Sequence, residues 1–338
     1  MYAKTIFSIL ATLLGFGADV VTVTTGSAGN AGSTFAELIT YMSAKTLDVA
    51  VTNTVLNQFG DKQPLPAGAS KTIRFTRFEK FPFSPTPQQL VEGIAPDATG
   101  ATINQVEATI EQYGLVVRIS ELAELTARHP LVQLCLNRMG LHAAETYDQL
   151  IFAVLDAATN QYRPNNKAAD SNLTPSDQVS YNDFVNLQAT LMDSAARPVR
   201  GQNFVMVIPP QVAASLQKDP DWKASHQLAQ PQAIWNGQIG TLANFDVVVS
   251  NAPSFAYSSQ TSPSGSANKV FSSFALGREA YQVTDLQSLE VIVTPPGGQA
   301  DPLKQNYKLG YKFSMKAVIS NQTWLRRVRS AGANSTAN

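Results

Sequence analysis

Ile73 and Phe75 alternate with Arg74 and Thr76, and this period of two predicts a strand with one polar face. A second alternating set, Tyr113, Leu115, Val117 and Ile119 with Gly114, Val116 and Arg118 between, predicts the strand that returns against it. Residues 84–105 join the two and carry Pro85, Pro87, Gly93, Pro96 and Gly100. Structureless connections beyond about 12–15 residues are uncommon inside a compact domain. The economical reading is a long two-stranded arm that projects from a body. Such an arm is not stable alone in water and needs a partner surface.

Helical spacing dominates elsewhere. Leu38, Met42 and Leu47, continued by Val51, Val55 and Phe59, predict a helix over residues 35–59. Ser120 can cap a short helix through Arg128, and Pro130 stands where proline is tolerated, at the start of a longer one. Leu134, Leu141, Tyr147, Ile151, Val154 and Ala158 extend that helix over residues 131–158, roughly 40 Å at about 1.5 Å per residue. Gly140 inside it costs about 1 kcal/mol relative to alanine. Ser180 and Asp183 form a capping-box start for a helix over 180–195, with Phe184, Leu187 and Leu191 as its core face. Strands are predicted at 204–208, 245–249, 270–276, 289–293 and 307–319. Pro209-Pro210 opens a short helix through Leu216, residues 254–268 read as an exposed Ser/Gly-rich loop, and 295–298 as a turn. The fold class is α+β.

Composition narrows the function. The 338 residues hold 25 basic and 25 acidic side chains, so no global field draws the chain to nucleic acid or an anionic membrane. Charged residues are 15 % of the chain, against about 25 % for an average soluble protein. A sparsely charged exterior suits a protein that covers much of its surface with copies of itself. Lys4 followed by apolar residues 6–14 resembles a secretory signal, but the segment is far too short to span a bilayer and the chain begins at Met1. It is read as an apolar arm, set by Ile6, Leu10, Leu13 and Leu14, that docks on a neighbouring subunit, the alternative being a short helix on its own domain.

Catalytic and metal-binding patterns are missing. Cys135, the single cysteine, excludes an intrachain disulfide and a cysteine-based zinc cluster. His129, His142 and His226 stand far apart, with no second ligand at a familiar spacing. Asp219 and Asp221 flank a proline as a solvated turn would, and no phosphate-binding glycine loop or nucleophile elbow occurs. Arg326, Arg327 and Arg329 read as a solvated basic tail, at most a weak, salt-sensitive contact for DNA. The pattern points away from an enzyme and implies no cofactor.

Several short stretches occur in one order: Leu56-Asn-Gln-Phe59-Gly60, Pro64-Leu-Pro66, residues 71–77, Leu90-Val-Glu-Gly93 before Pro96, and residues 112–120. Residues 236–240 ahead of Phe245-Asp-Val, Gly277-Arg-Glu-Ala-Tyr281, residues 301–305 and Gly310-Tyr-Lys312 continue the series. Together they resemble the major capsid proteins of tailed bacteriophages, of the branch typified by coliphage N4. The resemblance implies the Hong Kong 97-type fold. Mapped here, that gives an N-terminal arm to residue 70, an extended loop over 71–119, and a peripheral domain with a long spine helix over 120–179. An axial domain over 180–288 follows, and the chain then returns over 289–338 to the peripheral domain and a C-terminal tail. It implies a protein that assembles into pentamers and hexamers of an icosahedral shell around double-stranded DNA, contacting that DNA only non-specifically. A portal protein at one vertex and a separate scaffolding or cement protein are the other partners it implies, with no membrane. It further implies assembly in the host cytoplasm and residence in the virion. Residues expected at intersubunit contacts are Ile6, Leu10, Leu13 and Leu14 of the N-terminal arm. Arg74, Arg77, Phe81, Phe83, Glu92, Glu111 and Arg118 are expected in the same role on the projecting arm. A secreted or surface-layer structural protein is the alternative reading.

Overall fold

The computed structural model describes residues 54–63, 71–79, 81, 92–93, 100–220, 222, 240–250, 258–261, 267–297, 301 and 303–336. The helix expected over 35–59 falls mostly outside them. Its last turn, Leu56–Gln58, is a 3-10 turn whose first residue, Leu56, is fully buried.

Alternation produces strands at 72–78 and 111–120 as expected, but an unexpected strand stands between them. Strand β1 (Asp61–Lys62) precedes β2 (Thr72–Phe78), which pairs antiparallel with β3 (Ile103–Thr109) in continuous register from Thr72↔Thr109 to Phe78↔Ile103. The return strand is therefore β3, not the run from Tyr113 to Ile119. That run is β4 (Glu111–Ser120), which lies beside a different strand in a separate sheet. The sequence of β3 explains the misassignment: Asn104, Gln105 and Glu107 dilute its apolar positions, and its one buried residue is an alanine, Ala108.

The helices follow their capping signals. Ser120 caps α1 (Glu121–Thr126) by accepting the Ala123 N–H at 3.3 Å. After Pro130 comes α2 (Leu131–Asp156), the long helix expected over 131–158. Helix α3 (Tyr181–Asp193) opens on the Asp183 carboxylate, which accepts both the N–H and the O–H of Ser180 at 2.8 and 2.9 Å. Its expected core face, Phe184, Leu187 and Leu191, is fully buried. Asp219, read from sequence as a solvated turn, accepts the Tyr181 N–H at 2.8 Å and so caps the same helix.

Remaining elements are β5 (Gln161–Tyr162), β6 (Phe204–Ile208), α4 (Pro210–Lys218), β7 (Thr241–Leu242) and β8 (Phe245–Val249). They are followed by β9 (Ser258–Thr261), β10 (Ala267–Leu276), β11 (Tyr281–Thr294), β12 (Asn306–Ile319) and β13 (Leu325–Thr336). One sheet has the order β1-β11-β12-β4, and another the order β5-β13-β10-β6-β8-β7 with β9 also on β10. Two expectations change here. Residues 254–268 are not simply a loop, because Ser258–Thr261 pairs antiparallel with the start of β10. The C-terminal arginines are not a solvated tail: β13 pairs with both β10 and β5, and Arg327 and Arg329 are each only 9 % exposed.

By its internal contacts the chain divides into two compact units, one holding Gly114–Ala143 and Leu289–Lys312, the other Asn53–Tyr113, Ala144–Ser288 and Phe313–Asn338. The second contains a core in which α3 and α4 cover β6 and β8: Phe184, Leu187, Met206, Ile208, Val212, Leu216 and Phe245 pack together. Phe245 meets Phe184 edge-on at 5.8 Å between ring centroids. In the first unit, a Cβ at Gly114 would stand 2.6 Å from the Tyr311 carbonyl oxygen, so glycine is required where β4 presses on β12. The Tyr311 hydroxyl lies 2.7 Å from Nδ1 of His142.

Candidate assembly surface

Strand alternation splits the β2–β3 hairpin into two unlike faces. Ile73 and Phe75 of β2 and Ala108 of β3 are buried and cluster with Val318 of β12. Arg77, in the same phase, donates to the Ser320 carbonyl at 3.2 Å and to Glu79 Oε1 at 3.0 Å. Asn104 donates to the same Glu79 oxygen. This face therefore fixes the base of the hairpin to its own subunit.

The opposite face meets solvent. It carries the cross-strand pairs Thr72–Thr109, Arg74–Glu107 and Thr76–Gln105, and ends on Phe78 opposite Ile103. The Arg74 guanidinium and the Glu107 carboxylate form an exposed ion pair, worth a fraction of a kcal/mol in water. Phe78 is 70 % exposed, Ile103 49 % and Phe81 59 %. A polar ladder thus leads to an apolar tip. Single exposed apolar side chains are ordinary on a protein surface; a group of them is the kind of feature a docking surface requires.

The other residues singled out from sequence occupy varied places. Glu92 is exposed in a turn with Gly93, whose φ is 83°. Glu111 accepts the Tyr113 hydroxyl at 2.5 Å and stands 3.6 Å from Lys316 Nζ. The Tyr113 hydrogen bond, then the lysine charge, hold its carboxyl below the ordinary glutamate value. Burial and the Glu111 contact push the Tyr113 hydroxyl up to about 12. Arg118 is exposed on β4. Ile6, Leu10, Leu13, Leu14 and Phe83 lie outside the described residues. Sequence reasoning missed Phe78 and Ile103. The signal was present, since Phe78 falls in the phase of Arg74 and Thr76, the polar face of its strand.

One anchor ties the chain down at Val55 and Leu56. Asp148 of α2 is fully buried and accepts the Val55 N–H at 2.7 Å, and the Tyr281 hydroxyl donates to the Leu56 carbonyl. Burial raises the Asp148 carboxyl above its usual value despite the N–H groups of Val55, Leu56 and Asn57 that favour its charge. Among the described residues, no group of three or more His, Cys, Asp or Glu could hold a metal ion. No helix among them is long and apolar enough to cross a membrane.

Residues 103–314 match the phage capsid protein family. The chain belongs to that family. Solved capsids share its architecture over most of their length. The capsid protein of Cyanophage P-SCSP1u is 12 % identical with a TM-score of 0.62, over 82 % of this chain and 88 % of that one. For Ralstonia phage GP4 the values are 16 % and 0.60, over 83 % and 89 %. For Helicobacter pylori bacteriophage KHP30 they are 11 % and 0.60, over 82 % and 91 %. At such identities the likeness shows the fold, and this capsid protein has the α+β Hong Kong 97-type fold. No curated protein sequence matches it significantly. As a member of a capsid family it is a structural protein of the virion, with a shell-forming role.

Proposed function

We propose that this protein is the major capsid protein of a tailed phage of the branch typified by coliphage N4, and that the β2–β3 hairpin tip is its principal intersubunit contact. The apolar tip carries the reading: Phe78, Ile103 and Phe81 are exposed, while the base of the same hairpin is packed on its own subunit. A hairpin built this way is positioned before assembly and completed by it. Phe81 and Phe83 act as apolar anchors, and Arg74, Glu92, Glu111 and Arg118 supply a polar rim that sets register more than strength. Ile6, Leu10, Leu13 and Leu14 form a second contact through the N-terminal arm.

Within this reading, α2 is the spine helix of a peripheral domain over 120–179, residues 180–288 form the axial domain, and residues 289–338 return to the peripheral domain. Copies form hexamers and pentamers in the host cytoplasm, with a portal protein at one vertex and a separate scaffolding or cement protein. DNA is met only non-specifically, and the protein performs no catalysis. Electron microscopy of the purified, concentrated protein tests the whole reading. Closed shells or capsomers are expected; a monodisperse monomer at every concentration sinks it.

A further inference from the structure

The β2–β3 hairpin stands on the rest of its unit through a small apolar contact. Ile73, Phe75 and Ala108 pack together with Val318 of β12. A single row of apolar contacts fixes where a hairpin sits but opposes its tilting only weakly. Strand residues rise about 3.3 Å each, so Phe78 lies about 10 Å beyond Phe75. A tilt of about 15° at Phe75 therefore carries Phe78 about 2–3 Å sideways. Interface cores pack as closely as protein interiors, and a displacement of that size undoes the fit.

A second point of attachment removes this freedom. Arg77, two residues beyond Phe75 in the same phase, donates through Nη1 to the Ser320 carbonyl at 3.2 Å. Ser320 is itself held in place. Its N–H and that of Asn321 both donate to the Ala280 carbonyl, at 3.0 and 3.1 Å, and Asn321 is buried. Nη2 of the same guanidinium donates to Glu79 Oε1 at 3.0 Å. Asn104, directly opposite Arg77 in register, donates to that oxygen from β3. The Glu79 N–H donates to the Thr102 carbonyl at 3.0 Å and so carries the ladder one step past Phe78. Both strands are thus tied to one fixed carbonyl through one guanidinium, a planar group whose donors diverge in a rigid fork. We propose that Arg77 is a positioning residue for assembly: with Glu79 and Asn104 it braces the hairpin on Ser320 and sets the tilt at which the apolar tip meets a neighbour. Arg77 then acts within its own subunit, not as the intersubunit contact that its place in the sequence suggests. The inference rests on the docking role of the tip proposed above.

Distances between two spin labels in free subunits of the full chain test the brace. With Cys135→Ser as background, labels are attached at Gln105→Cys, on the solvent face of β3, and at Asp193→Cys, at the end of α3, both exposed positions. Pulsed electron resonance of this labelled parent is expected to give one narrow distance distribution. Arg77→Ala and Glu79→Ala are each expected to widen it about twofold or more with the thermal midpoint nearly unchanged, and the double variant to widen it no further, because the two residues act as one unit. Glu79→Gln keeps the oxygen acceptor without the charge and is expected to keep the parent width. A parent-like distribution in either alanine variant overturns the inference, and so does a broad distribution in the parent. Sedimentation over a dilution series reads the consequence for assembly. Both alanine variants are expected to need about tenfold or more subunit to form shells, and Glu79→Gln no more than the parent. Widened distances with the parent's threshold overturn the positioning role. Absence of shells from the unaltered chain by electron microscopy sinks the capsid reading itself, while the distances in free subunits still decide the brace, so the two failures are told apart.

Discussion

Phe78 shows how much a single position can say once its phase is known. Thr72, Arg74 and Thr76 share its face, all polar, so a phenylalanine there has no core of its own to enter. Burying such a side chain against a partner is worth about 1.5–3 kcal/mol. Phe78→Ser combined with Ile103→Ser is therefore expected to leave the thermal midpoint of the free subunit nearly unchanged. The same change raises the subunit concentration needed for shells about tenfold or more; sedimentation over a dilution series measures the threshold and calorimetry the midpoint, and a large drop in midpoint contradicts it. Asp148 makes the opposite kind of statement, about the subunit alone. Its folded carboxyl is raised by burial, so its contribution favours the folded state most below the ordinary aspartate value and is lost as pH rises through the raised value. Asp148→Asn keeps an acceptor for the Val55 N–H and removes the buried charge. Its stability relative to the parent is expected to improve as pH rises across that window, as read by urea unfolding at several pH values. A constant difference at all pH values contradicts it.

Among the elements, β13 departs furthest from its sequence. Three arginines near a C-terminus look like a solvated tail, yet Arg329 reaches Asp156 Oδ2 at 2.9 Å and Ser272 donates to Asp156 Oδ1 at 2.9 Å. Arg327 donates to the Asp156 carbonyl, and Arg163 pairs with Asp170 at 2.6 Å. The strand thus clamps the end of α2. Asp156→Ala removes the carboxylate that faces both guanidinium groups, while Arg327 keeps the main-chain carbonyl of residue 156 and Arg329 keeps Asp170 at 3.8 Å; breaking a buried pair outright costs about 3–5 kcal/mol. The lower end is expected because the Asp156 side chain is 28 % exposed. Calorimetry of the free subunit checks this, and a loss below about 1 kcal/mol contradicts a clamp. The β2–β3 hairpin makes a prediction of its own. Amides of 72–76 and 106–109, over the packed base, are expected to be protected in free subunits and shells alike. Those of Phe78, Glu79 and 101–105 become protected only in shells. Equal protection of the tip in both states means it contacts no neighbour.

For the whole molecule, many modest contacts multiply through effective concentration, so assembly is expected to switch on abruptly as subunit concentration rises. Deleting residues 1–17 removes the proposed contacts Ile6, Leu10, Leu13 and Leu14. The shortened subunit is expected to fold, with an unchanged near-ultraviolet circular dichroism spectrum, but to lose shells on electron micrographs. Failure to fold assigns those residues to the subunit's own core.

Sequence alone determined the elements whose signals are local. The N-cap at Ser120, the capping box at Ser180, the proline before α2, the apolar run of β6 and the core face Phe184, Leu187 and Leu191 are all readable, because each depends on neighbours within a few residues. The order of short motifs pointed to the family for the same reason. Tertiary structure decided what depends on partners far along the chain. It paired β2 with the polar-looking β3 rather than with β4, because Ile73 and Phe75 find Ala108 and Val318 beneath them. It turned Arg327 and Arg329 into part of an inner strand, because carboxylates at Asp156 and Asp170 compensate charges that no local rule would bury. Alternation tells which side chains share a face, but only long-range packing tells which face is inside.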